Sequence, residues 1–174
     1  MKSASAAFLA LLATATLEAD SRAADAGEPQ LTIMRAGARP FIEGPASNFT
    51  GKATIDRQVR PDDPTRTMGS LVSFEPGART AWHSHPLGQT LVVTSGCGWV
   101  QIEGGKKEEV RPGDVIWTPA NVKHWHGAQP DAAMSHYALV EPLNGSTATW
   151  LAQVSDEQYG ATEKSTCKTS TKAN

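Results

Sequence analysis

The 174-residue chain predicts an all-β domain, a sandwich or barrel, and three observations carry that prediction. Short runs rich in β-branched and aromatic residues recur between turn residues, and no helical period is sustained. Pro-Gly or Gly-Gly pairs punctuate the runs at Pro76-Gly77, Gly104-Gly105 and Pro112-Gly113. All five histidines lie within this patterned region: His83, His85, His124, His126 and His136. Four of them form two His-x-His pairs. Residues two apart on a strand share a face, so each pair aims two imidazoles the same way. Two such strands can converge them on one point, and neutral imidazole is the commonest metal ligand among side chains.

Taken in order, the expected strands begin at 31–35 and 51–59, the second opening at Gly51. A third, 69–75, runs into the Pro76-Gly77 turn, and a fourth, 81–85, carries the first histidine pair. Gln-Thr-Leu-Val-Val-Thr at 89–94 is a fifth; strands at 98–103 and 106–110 flank the Gly104-Gly105 turn as a hairpin. Strand 114–118 follows Pro112-Gly113, 124–128 carries the second histidine pair, and 134–141 and 149–154 complete the series. A single helical turn is expected at 156–159.

The ends read differently. Residues 1–26 combine a basic start at Lys2, an uncharged apolar run from Ala6 to Leu17, and small residues at Ser21-Arg22-Ala23 and Ala24-Asp25-Ala26. That is the pattern of a secretory signal peptide, too short in its apolar run to span a bilayer comfortably. An exported protein, periplasmic or secreted, is expected, with one domain over 27–160 and a flexible polar tail over 161–174. Net charge is −2 with no stripe of Lys or Arg, so nothing favours nucleic acid or a membrane surface as partner. Of the two cysteines, Cys97 reads as a small buried hydrophobe and Cys167 lies in the tail, weak grounds for a bridge.

The wording around the histidines is more specific. Gly77-Ala-Arg-Thr-Ala-Trp-His83-Ser-His85-Pro-Leu-Gly-Gln89 through Gly96 resembles the first motif of the cupin family, in which a glutamate usually stands where this chain has Gln89. Gly113-Asp-Val-Ile-Trp-Thr-Pro119-Ala-Asn121-Val-Lys-His124 resembles the second, with Asn121 in place of a usual glycine and Ala128 where an asparagine is often found. Asn tolerates the left-handed turn conformation better than most residues, so the first departure is mild. The resemblance implies a double-stranded β-helix, or jelly-roll barrel, whose metal ligands would be His83, His85, Gln89 and His124.

Gln89 has electrostatic consequences. Three histidines and a glutamate leave a divalent ion with net charge about +1, whereas a glutamine leaves about +2 and a stronger Lewis acid. The trivalent state is then less stabilised, which weighs against oxidative cycling. Nitrogen and oxygen donors without thiolate suit Mn, Fe, Ni or Zn. His126 shares the His124 face, and His136 sits on a strand face with Met134, Ala138 and Val140. Both read as general acid/base residues beside the metal, with a further ligand or a core histidine bonded to backbone as alternatives. Trp82 and Trp125 alternate with site positions and are expected to pack a partner sheet in a homo-oligomer; Arg79-Thr80 is expected to stabilise a turn or an interface.

At finer grain, residues 74–99, Pro112-Gly-Asp-Val, Lys123-His-Trp-His-Gly-Ala128, Ala133-Met-Ser-His136 and Asp156-Glu-Gln-Tyr159 are similar to the manganese-dependent cupin hydroxynitrile lyases of bacteria, Gln89 included. That resemblance implies manganese, a small-molecule cyanohydrin or aldehyde substrate, and a lumen lined by residues such as Val72, Leu91 and Val140. A quercetinase-like cupin dioxygenase and a non-catalytic metal- or ligand-binding cupin are the alternative readings.

Overall fold

A computed structural model describes residues 31–160 apart from 32, 36 and 60–65. The chain divides into two units between Ile33 and Met34, and all of the described strands and the helix belong to the second. The expected signal peptide, the tail and Cys167 lie outside the described residues, and of the expected strand at 31–35 residues 31 and 33–35 are not strand.

The elements in chain order are β1 (Ile42–Glu43), β2 (Phe49–Thr50), β3 (Ala53–Val59), β4 (Met68–Phe74), β5 (Arg79–Thr80), β6 (His83–Ser84), β7 (Gln89–Gly96), β8 (Gly98–Ile102), β9 (Glu108–Val110), β10 (Val115–Thr118), β11 (His124–Ala128), β12 (Met134–Val140), β13 (Thr149–Trp150) and α1 (Asp156–Tyr159). One sheet runs β1-β3-β4-β12-β7-β10. In the other, β8 lies along one edge of β11 and pairs onward with β9; β5 and β6 lie in succession along the opposite edge, flanked by β2 and β13. All pairings are antiparallel, and the two curled sheets form the expected jelly roll.

Period-two alternation decides what faces inward. Val72 and Phe74 of β4, Val93 of β7, Ala128 of β11 and Met134 of β12 join Phe49, Ala53 and Val110 in the core between the sheets. Where β5 crosses β11 the backbones are so close that a Cβ on Gly127 would lie 2.6 Å from the Ala78 carbonyl oxygen, so only glycine fits. Asn121 adopts φ 62°, the left-handed conformation its motif position demands.

Trp82 and Trp125 do face away from the histidines, but this chain covers them, so the expectation of a partner sheet there is corrected. With Trp99, Val154 and Tyr159 they form a second core on the outer face. The cover is the C-terminal segment ending in α1, which Ser155 caps with a capping box to Gln158. The Tyr159 hydroxyl donates to the Ala128 carbonyl at 2.7 Å. Arg79 donates to the Gly77 carbonyl of the Pro76-Gly77 turn at 3.4 Å, in line with the turn reading, but its shorter contacts hold the C-terminal segment. It is buried, donates to the Val154 carbonyl at 2.9 and 3.2 Å and to Asp156 at 2.6 Å, and lies 4.4 Å from the Tyr159 ring centroid.

Pairing with this segment also explains why the strand expected at 81–85 breaks in two. The Trp82 N–H donates to the Ala152 carbonyl and the Leu151 N–H to the Trp82 carbonyl, so the backbone at 82 turns toward the C-terminal segment. Cys97 is buried as expected, but it is disulfide-bonded, which corrects its reading as an unbridged hydrophobe.

Candidate metal centre

β11 and β6 bring His124 and His83 into direct register, one face of each strand turned into the barrel. His85 follows one residue after β6 ends. The ligand nitrogens of these three buried histidines lie within 4.8 Å of one another, so the three could hold a metal ion. Gln89 enters from the opposite sheet, at the start of β7, with its Oε1 3.0 Å from His124 Nε2.

Backbone carbonyls fix the tautomers. His83 Nδ1 donates to the Ala81 carbonyl at 3.0 Å, His85 Nδ1 to Thr147 at 2.6 Å, and His124 Nδ1 to Val122 at 2.9 Å. A carbonyl can only accept, so each Nδ1 carries the proton and each Nε2 presents a lone pair. Burial keeps all three rings neutral. It lowers His83 well below the usual histidine range, with His124 adding to the effect, and brings His124 down to about 4. His85 is lowered by burial as well.

These donors fit a cation. The bare His124 Nε2 and the Gln89 Oε1 are both acceptors, and at their separation they repel unless positive charge lies between them. His85 Nε2 is buried with no hydrogen-bond partner among the described residues, at the cost an unsatisfied polar atom carries. Four neutral N and O donors without thiolate match the borderline divalent metals.

Beside this set stands a second pair. The His126 ring centroid is 5.1 Å from that of His83, and its Nδ1 is 3.0 Å from Nε2 of His136, which β12 contributes from the opposite sheet. One proton lies between the two rings. Both are fully buried and neutral: burial and the neighbouring His136 lower His126, and burial brings His136 down to about 4. His126 Nε2 has no partner among the described residues. His126 lines the cavity described next and His136 does not, so the two positions the sequence treats alike differ in access.

That cavity, about 320 Å³, reaches His83, His85, Gln89 and His126. Val72 and Val140 line it as expected; Leu91 instead lines a separate cavity of about 260 Å³ between β10 and β9, with His124 also in its lining. Sequence reasoning missed three contributors: the Thr147 carbonyl, Phe49, and Trp150, whose ring stacks on that of His83 at 4.7 Å and 29°. Composition gives no sign of a backbone carbonyl's role, and the tryptophan carries no motif.

A jelly roll with three inward histidines and an amide drawn from two sequence motifs defines a cupin, and the chain belongs to the cupin family: residues 70–140 match the Cupin domain model. Among curated proteins it is 54% identical over 129 residues to an (R)-mandelonitrile lyase of Granulicella tundricola, covering 74% of this chain and 98% of that protein. Among solved structures it is similar to a cupin-like protein of Thermotoga maritima, with 41% identity, a TM-score of 0.65, and 67% of this chain and 89% of that one covered. A cupin-2 domain protein of Rhodospirillum rubrum shares the fold at 14% identity, with a TM-score of 0.56 and 72% and 84% covered.

Proposed function

We propose that this cupin is a metal-dependent carbon–carbon lyase that cleaves cyanohydrins of the mandelonitrile type to an aldehyde and hydrogen cyanide, and runs the reverse addition. One observation carries the reading: a neutral set of four donors, His83, His85, Gln89 and His124, stands beside a buried histidine pair with one member at the cavity. The relative named (R)-mandelonitrile lyase supports it. Manganese is the metal expected, with Fe, Ni and Zn also matched by these donors.

A divalent ion held by the four donors would supply a Lewis acid for the substrate oxygen. The chain's own residues do the rest. His126, which lines the cavity and whose Nε2 has no partner among the described residues, takes the hydroxyl proton. The carbon–carbon bond pair leaves with cyanide, and the same proton returns to it, so the reaction balances without any oxidant. His136 holds the other end of His126 at 3.0 Å, and with the shared proton on His126 Nδ1 the His126 Nε2 is the bare nitrogen. Gln89 keeps the donor set uncharged, and Ile55, Met68, Val72 and Val140 give the cavity an apolar wall. At about 320 Å³ the cavity is near the lower end for ligand sites and suits a single ring better than a three-ring flavonol.

Export remains the reading of residues 1–26, and a homo-oligomer that of the surface. The outward positions of β4, β12, β7 and β10, among them Leu71, Val92, Tyr137, Leu139, Val115 and Trp117, include no charged residue, the compositional mark of an interface core. Light scattering of the purified chain tests this. The reaction is tested by loading protein with Mn, Fe or Zn and following benzaldehyde release from mandelonitrile, with oxygen uptake on a flavonol measured in parallel. Benzaldehyde release dependent on metal is expected. Flavonol oxidation without cyanohydrin cleavage would replace the lyase reading.

A further inference from the structure

Trp150 stands at the site for a reason that the donor set does not supply. β13 pairs with β6 so that Trp150 is the register partner of His83. Its ring stacks on His83 and lies 5.9 Å from the Phe49 ring, and both aromatic residues line the cavity. The indole is left 37% exposed, although a large aromatic ring gains most from full burial. Across the cavity the six-stranded sheet presents aliphatic side chains, Ile55, Met68 and Val140 among them. The segment that delivers Trp150 is fixed on both sides, by the Trp82–Leu151 and Trp82–Ala152 backbone bonds and by Thr147 holding His85. The result is a preformed slot, aromatic on one wall and aliphatic on the other, lined as well by His83, His85 and Gln89 of the donor set.

We propose that Trp150, with Phe49, is the aryl-recognition subsite of this protein: it selects substrates whose hydroxyl-bearing carbon carries a single aromatic ring over those with an aliphatic chain. The proposal rests on the lyase reading above. A ring in the slot meets Trp150 offset or edge-on, an interaction of directional strength that an alkyl chain does not make. Because the slot is already built, little ordering cost opposes it.

The test compares kcat/KM for mandelonitrile and for 2-hydroxyhexanenitrile, measured on the same preparations of parent, Trp150→Leu, Trp150→Phe and Phe49→Leu. The ratio of the two substrates is insensitive to partial loss of metal, which lowers both rates together. The aryl-to-alkyl ratio should fall about twofold to tenfold in Trp150→Leu, less in Phe49→Leu, and be largely kept in Trp150→Phe. Equal loss on both substrates would overturn the proposal and leave Trp150 as a support for His83 alone. A second measurement needs no turnover: benzyl alcohol and 1-butanol are titrated into each protein by ligand-observed NMR. Weaker binding of benzyl alcohol alone in Trp150→Leu supports the subsite, and unchanged binding refutes it. If the parent cleaves neither cyanohydrin, the lyase reading fails while this titration still decides what Trp150 recognises.

Discussion

Arg79→Met should cost far more stability than removing its acidic partner. Arg79 is 4% exposed, and its guanidinium donates twice to the Val154 carbonyl, which belongs to a residue itself 1% exposed. A hydrogen bond from a charged donor contributes about 1.5–3 kcal/mol, and leaving the carbonyl buried without a partner adds about 1–3 kcal/mol. The contact with the Tyr159 ring is worth about 1 kcal/mol. The Asp156 carboxylate, however, is 81% exposed, so its ion pair contributes at most about 1 kcal/mol. Methionine keeps the packing of the aliphatic stem, so the net loss lies near the lower end of these contributions, roughly 4 kcal/mol. For a domain of this size that corresponds to a fall in Tm of roughly 10 °C. Scanning calorimetry of Arg79→Met and Asp156→Asn checks the comparison. Equal losses in the two variants would refute the claim that the buried carbonyl, rather than the ion pair, ties down the C-terminal segment. Because that segment carries Thr147 and Trp150, Arg79→Met should also speed metal dissociation in a chelator competition.

The remaining expectations concern the site itself. Replacing His83, His85 or His124 by Ala should abolish stoichiometric metal, since each removes one of four donors; full metal retention in any two of the single variants would sink the assignment. Gln89→Glu should keep the metal yet slow cyanohydrin cleavage by lowering Lewis acidity, and a variant as fast as the parent would show that the neutral amide tunes nothing. His126→Ala and His136→Ala should hold metal near the parental level while turnover falls roughly 10²- to 10⁴-fold, read by metal analysis beside steady-state rates. Asn121→Gly should fold as well as the parent, whereas Asn121→Val, forced to φ 62°, should lose about 1–2 kcal/mol in denaturant melts.

Short-range rules account for what could be read along the chain. Strand alternation puts His124 and His126 on one face, His-x-His spacing pairs His83 with His85, and Asn121 stands where a left-handed residue is required. The turn at 156–159 is an α-helix with a local capping box, so its signal lies within four residues. Each of these depends on backbone geometry that neighbouring residues impose on one another.

What only the tertiary structure decided depends on which distant segment covers which face. Alternation states that Trp82 and Trp125 point outward, but it cannot say that Val154 and Tyr159 of the same chain bury them, because that choice is made by contacts such as Trp82–Gln158 across 76 positions. Cys97 was similarly undecidable, since a count of two cysteines does not say whether they bond. His126 and His136 look equivalent in sequence; the meeting of opposite sheets sets one at the cavity and the other behind it, 3.0 Å away. Trp150 has no motif at all, and the pairing of a two-residue strand with β6 alone places its ring on His83. Local backbone preference fixes the direction of a side chain, and only the closure of the barrel fixes what that side chain meets.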